Sequence, residues 1–142
     1  LIPQYAIEEI LNFSDIAERI RFYYQQASEF EAFLKKNSQV VENVIITDLR
    51  NIDLAPVGNR FVIYTLYPTV NVSVRIFDGF QKKNYVVSVG HSILNRTCKV
   101  NIGDLMSNYG GGGHFTVGTC QLDRETSHDQ IAEMISILKS NR

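Results

Sequence analysis

Over the first quarter of the chain, apolar residues recur every three or four positions; beyond it they alternate or run together. Residues 4–12 have a short helical pattern. From Ser14, an N-cap residue by type, Ile16, Ile20, Tyr23, Tyr24, Ala27, Phe30 and Leu34 keep helical spacing. This predicts a long amphipathic helix ending near Lys36-Asn37, with its aromatic stripe as a packing face. Whether that face meets its own domain or another is not set by spacing. The next signals are β-branched or aromatic runs of strand length at Val44 to Thr47, Phe61 to Leu66, Val70 to Ile76 and Tyr85 to Val89. Pro56-Val57-Gly58-Asn59, Pro68 and Asp78-Gly79 punctuate them, and residues 78–84 predict a hairpin between the third and fourth runs. Polar Asn71, Ser73 and Arg75 alternate with valines, so Arg75 reads as a solvated or paired surface charge.

Further along, Asn101 can cap a short helix from Ile102 to Asn108, which Gly110 would end in a left-handed C-cap. Phe115 to Leu122 reads as a fifth strand. Thr126 with Asp129 resembles a capping box, and Ile131, Met134, Ile135 and Leu138 form the stripe of a last helix. This order predicts an α/β fold: a mixed sheet of about five strands flanked by helices, with a long N-terminal amphipathic helix. Residues 1–38 are then a linker or packing helix and residues 39–142 the domain, a single domain overall.

Composition narrows the function. A chain of 142 residues is one domain with room for a core, and a net charge of −1 argues against gripping long nucleic acid by bulk electrostatics. The charge is uneven. Residues 1–58 carry five basic and nine acidic groups, whereas residues 80–122 carry Lys82, Lys83, Arg96 and Lys99 against Asp104 alone. No run is long enough to cross a bilayer, which excludes a helical membrane partner role. Cys98 and Cys120 lack metal-ligand spacing and read as buried thiols of a reduced, cytoplasmic chain. A start at Leu1 rather than Met suggests a piece of a longer protein.

The basic part holds the most unusual stretch, Tyr109-Gly110-Gly111-Gly112-Gly113-His114-Phe115. Each ordered glycine costs about 0.5–1 kcal/mol relative to alanine. The aromatic flanks, unlike those of a flexible linker, argue for an ordered loop inside the domain. Bare backbone N–H groups can form an anion-binding nest, to which His114 adds a donor. There is no G-K-[ST] for a P-loop, and the run follows a helix and precedes a strand, the reverse of a dinucleotide fold. An ATPase or NAD enzyme is therefore excluded. A second stretch, Ser88 to Thr97, gathers His91, Ser92, Asn95, Arg96 and Thr97 with no carboxylate among them. Arginine's planar fork suits phosphate. By composition alone, Arg96 could equally staple the loop to a carbonyl, and His91 could be a solvated turn residue.

Gly110 to His114, preceded by Val100-Asn101-Ile102-Gly103-Asp104-Leu105-Met106 and followed by Thr116-Val117-Gly118-Thr119-Cys120, resembles the C-terminal DHH-associated domain of the DHH phosphoesterases. Ser88 to Thr97 is similar to the exopolyphosphatase-related branch of that superfamily, which also contains oligoribonucleases. The resemblance implies an N-terminal DHH catalytic domain as partner. That domain would carry two divalent metal ions, usually manganese, which activate a water for attack on phosphorus. It implies no catalytic or metal-ligating residue in this chain, which has no Asp-His-His. His128 reads as a first-turn helix residue.

The implied substrate contacts are Gly110, Gly111, Gly112, Gly113 and His114, together with Arg96 or His91 and their neighbours Asn95 and Thr97. The family's arginine normally follows the strand directly in a serine-x-arginine-serine setting, and here extra residues intervene. The implied ligands are a short oligonucleotide, a phosphorylated nucleotide or polyphosphate. A related domain ends alanyl-tRNA synthetase, so a non-catalytic RNA-binding module is the alternative. Homodimerisation stays open.

Overall fold

A computed structural model describes residues 2–52, 56, 58, 59 and 61–140, with side chains from Asp15 onward. The helices are α1 (Ile2–Asn37), α2 (Val62–Leu66), α3 (Ile102–Ser107) and α4 (Ser127–Ser140). The strands are β1 (Ser38–Val41), β2 (Val44–Leu49), β3 (Val72–Asp78), β4 (Asn84–His91), β5 (Gly112–Gly113) and β6 (Val117–Asp123). They form one mixed sheet in the order β1-β2-β3-β4-β6-β5. Only β2 and β3 run parallel, and every other neighbouring pair is antiparallel.

Most of the predicted elements are present. The helix ending at Asn37, the 78–84 hairpin and the Asn101-capped helix all form, with Asp104 N–H donating to Asn101 Oδ1 at 3.1 Å. Four details differ. Helix α1 runs through Ser14 without a break, so the helix does not begin there. The run Phe61 to Leu66 is not a strand but contains α2, which lies in the connection between the parallel strands β2 and β3. A parallel pair requires such a crossover, and that demand overrides the β-propensity of Val62 and Ile63. Asn59 starts the turn by accepting the Phe61 N–H at 2.9 Å; parts of the preceding Pro56-to-Asn59 stretch lie outside the described residues.

The third difference is that there are six strands among the described residues rather than five. Strand β1 follows α1 directly and joins β2 through a tight turn at Glu42 (φ 56°), and the added β5 falls inside the glycine run. Finally, the Thr126–Asp129 capping box does not form. Thr126 Oγ1 instead bonds Gln130 Oε1, and Ser127 Oγ donates to the Arg124 carbonyl.

The alternation of each strand divides the sheet into two unlike faces. On one, Val44, Val72, Val74, Ile76, Val87, Val89, Cys120 and Leu122 pack against Ile102, Leu105 and Met106 of α3 and Ile131, Met134 and Leu138 of α4. On the other, the smaller cluster of Leu34, Ile45, Ile63, Tyr64 and Val70 joins the ends of α1 and α2 to the β2 side. The remainder of that face, from Arg75 across Ser88 to Val117, is not closed over by a core cluster.

Both cysteines are free and buried, and burial raises their thiol pKa values, that of Cys120 to about 11. The N-terminal half of the α1 stripe is exposed, with Tyr23 at 68 % and Tyr24 at 67 %, while Phe30 and Leu34 pack on the domain.

Candidate functional site

The open face contains a cleft of about 530 Å³. Its floor is Ser73 and Arg75 of β3 with Ser88 and Gly90 of β4. One wall is Phe61, Ile63 and Tyr64 from the start of α2, and the other is Phe115 to Val117. His91, Ser92, Ile93 and Arg96 close the end beyond β4. No carboxylate lines it among the described residues.

The wall is fixed by hydrogen bonds to the floor. Tyr64 Oη lies 2.8 Å from Ser73 Oγ and 3.4 Å from the Gly90 carbonyl, and Phe61 stacks on Tyr64 with centroids 6.5 Å apart. At Gly90 a Cβ would come within 3.2 Å of that phenol oxygen, so glycine lets the wall approach the strand. The opposite wall is pinned when His91 N–H donates to the Thr116 carbonyl at 2.8 Å.

Loop 92–97 is shaped by its own polar side chains. The buried Ser92 Oγ accepts the N–H groups of Leu94 and Asn95, both at 3.1 Å, in a hydroxyl-capped turn. Asn95 donates to the Thr69 carbonyl at 2.9 Å and accepts from Thr97, whose hydroxyl in turn accepts from Asn71. Asn95 and Thr97 thus tie the loop to the start of β3 and do not line the cleft.

Two cleft residues remain chemically available. Arg96 is exposed and uses only Nε, which donates to the Ile93 carbonyl at 3.2 Å, so its two terminal nitrogens still face solvent. Half of the stapling alternative is therefore true, and the guanidinium is aimed by it. His91 Nε2 lies 2.7 Å from the Val100 carbonyl, and its ring meets Phe115 edge-on at 5.2 Å. A carbonyl can only accept, so Nε2 carries a proton and Nδ1 is the atom left for a ligand.

The glycine run departs from expectation. It is ordered, but it does not present an open row of amides. Gly110 N–H donates to Ser107, Gly111 N–H to Met106 and His114 N–H to Val117, while Gly112 and Gly113 pair with Thr119 and Gly118 in the sheet. The run is an edge strand, and the ladder consumes groups that a free loop would offer to an anion. Two of its four glycines, Gly111 and Gly113, permit close packing. A Cβ at Gly111 would sit 2.1 Å from the Thr119 carbonyl, and one at Gly103 of α3 would sit 2.6 Å from that of Gly113.

Gly110, at φ +80°, is the expected left-handed cap. Gly112 is different: its φ is not positive, and a Cβ there would meet nothing within 4 Å. None of Gly110 to Gly113 lines the cleft, whereas the exposed His114 precedes its wall residue Phe115. The amides of Ile102 and Gly103, which begin α3, are taken by the carbonyls of Phe115 and His114.

Sequence reasoning missed Arg75. It is half-buried in the floor with its guanidinium 5.7 Å from the Phe77 ring, and its buried Nε has no hydrogen-bond partner. Its place on the polar face of β3 was legible, but the absence of an acceptor beside it was not. No group of three or more His, Cys, Asp or Glu that could hold a metal occurs among the described residues, so these residues do not fit a two-metal centre. No described helix is long and apolar enough to cross a membrane.

No protein-family model and no curated protein matches the chain. Solved structures do. A pGpG-specific phosphodiesterase, PggH from Vibrio cholerae, superposes with a TM-score of 0.85 at 38 % identity over 96 % of this chain, which spans 46 % of that protein's length. An exopolyphosphatase-related protein from Bacteroides fragilis gives a TM-score of 0.58 at 13 % identity, covering 81 % of this chain and 35 % of its own. A DHH-domain member of the s1p family of ribosomal proteins gives 0.54 at 11 % identity, covering 94 % and 35 %. The last two show the fold alone. The likeness to PggH at 38 % identity, together with the Asn101-capped helix, the edge-strand glycine run and the mixed sheet that carries them, makes the chain a DHH-associated domain of the DHH superfamily.

Proposed function

We propose that this chain is the substrate-holding part of a phosphodiesterase that cleaves short phosphorylated dinucleotides, and that the cleft between α2 and the Phe115–Val117 segment is where the substrate lies. One observation carries the reading. Arg75, His91 and Arg96 line a single cleft that no described carboxylate neutralises, in a chain 38 % identical to a pGpG-specific phosphodiesterase.

In this reading Arg96 and His91 hold non-bridging phosphate oxygens: Arg96 through its two terminal nitrogens, His91 through Nδ1 when protonated. Asn95 and Thr97 act indirectly, by fixing the loop that aims Arg96. His114 and the open surface of Gly112 make a second contact along the edge strand, where a side chain would obstruct a ligand's approach. These groups position and neutralise the phosphate, which is where a large share of phosphoryl-transfer catalysis arises. The metal chemistry, two divalent ions such as manganese, belongs to an N-terminal DHH domain outside this chain.

The test is a titration of the chain with pGpG followed through the backbone amides, repeated on Arg96→Ala. The expected result is shifts at His91 to Thr97, with affinity falling about ten- to a hundredfold in the variant, the loss of a charge-assisted hydrogen-bonded pair. Silence at residues 91–97 with millimolar pGpG would remove the proposal. Equal competition by polyphosphate would replace the dinucleotide with a simple polyanion.

A further inference from the structure

Arg75 has an unusual position for a cation. It stands in the middle of β3, opposite Thr47 on one side and Ser88 on the other, and no acceptor meets its buried Nε. The Arg50–Asp48 pair is the salt bridge found among the described residues, so Arg75 has no ion-pair partner there. A buried donor without an acceptor is destabilising. The two terminal nitrogens of Arg75 are not sealed in with Nε and make no hydrogen bond or ion pair among the described residues, so an acceptor that arrives with a ligand in the cleft can meet them.

The surroundings decide which acceptor. The register places Arg75 level with Ser88, three residues before His91, so along β4 it lies about 10 Å from the phosphate-holding end. The rest of the cleft is lined by Phe61, Tyr64 and Val117 with the small hydroxyls of Ser73 and Ser88. A largely apolar cleft with one charged donor group suits a base better than a second phosphate. Arginine's fork donates twice to an edge bearing two adjacent acceptors, and among the purines guanine offers this with O6 and N7. Adenine presents N7 beside a donor and can satisfy only one bond.

We propose that Arg75 is the specificity residue of the cleft, reading the O6 and N7 edge of a guanine whose phosphate is held by Arg96 and His91. This rests on the phosphate-end reading above and adds the base to it.

The experiment follows the Arg75 Nε–H resonance and the backbone amides of the chain while GMP, AMP and inorganic phosphate are added in turn. GMP is expected to move Arg75 Nε–H together with His91 and Arg96, phosphate to move only the latter two, and AMP to bind on the order of ten- to a hundredfold more weakly. Arg75→Lys, checked for an unchanged amide fingerprint elsewhere, should erase the preference. Arg75→Gln should turn it toward AMP, since glutamine matches adenine's donor and acceptor.

Movement of Arg75 Nε–H by phosphate alone, or an equal loss of GMP and AMP binding in Arg75→Lys, would make it a phosphate ligand and overturn the inference. Response at His91 and Arg96 with none at Arg75 would overturn it while leaving the proposed function standing. Silence everywhere would remove both.

Discussion

The two faces of the sheet are built from the same strands but solve opposite problems. The face under α3 and α4 is closed: Ile102, Met106, Met134 and Leu138 are fully buried against the strand valines. The face under α2 carries Ser73, Arg75 and Ser88 at the corresponding alternate positions and is left partly open. A strand's period of two lets one segment, Val72 to Asp78, supply both a core and a polar floor without any change of backbone. The lesson is that the core and the open cleft are assigned to different faces, so stability and the proposed ligand contact should respond to different substitutions.

The sharpest way to break that division is to cut one residue from each face. Ile102→Ala removes a fully buried side chain beneath α3 and should lower unfolding stability by about 2–5 kcal/mol, read from denaturant midpoints. Ser88→Ala on the cleft floor should change it by no more than about 0.5 kcal/mol. Comparable losses would mean that the open face is also part of the core.

A finer comparison lies within the glycine run. Gly111→Ala would press a methyl into the Thr119 carbonyl and should be destabilising by about 1–3 kcal/mol. Gly112→Ala meets open space, so its stability should stay within about 1 kcal/mol of the parent, on either side. If Gly112 is kept clear for a ligand, this second variant should still lose pGpG affinity in the titration described above. A stable variant with unchanged affinity would confine the run to a packing role.

The smallest effect expected is electrostatic and lies away from both faces' centres. Asp48 accepts from Arg50 Nε at 2.9 Å and Nη2 at 2.6 Å, and these bonds hold its carboxyl below its ordinary value of 3.8 against the opposing effect of burial. A depressed carboxyl contributes stability above the unfolded-state pKa and loses it as pH falls through the folded one. The Asp48 side chain is 46 % exposed, so the pair contributes under about 1 kcal/mol. Asp48→Asn should therefore be slightly less stable at neutral pH, with the gap narrowing once pH falls below about 3.8 and closing below the lowered folded-state value. A gap that does not narrow at all as pH falls below about 3.8 would mean that Asp48 acts through packing.

The sequence by itself determined every element whose pattern is local. The spacing of Phe30 and Leu34 in α1, the Asn101 cap, the Gly110 turn and the alternation of β3 were legible because propensity, capping and burial all act there in the same direction. It also singled out the stretches 88–97 and 109–115 by residue type; of these, His91, Ser92, Ile93, Arg96 and Phe115 line the cleft and Gly110 to Gly113 do not.

Tertiary structure alone decided the rest. It made Val62 to Leu66 a helix, because the parallel pairing of β2 with β3 demanded a crossover that no local signal announces. It turned the glycines from an open loop into an edge strand, because β6 was there to accept their hydrogen bonds. And it left Arg75 without an acceptor: whether a polar side chain finds a partner depends on which distant segments the fold brings beside it, and that information is not local to any stretch of the chain.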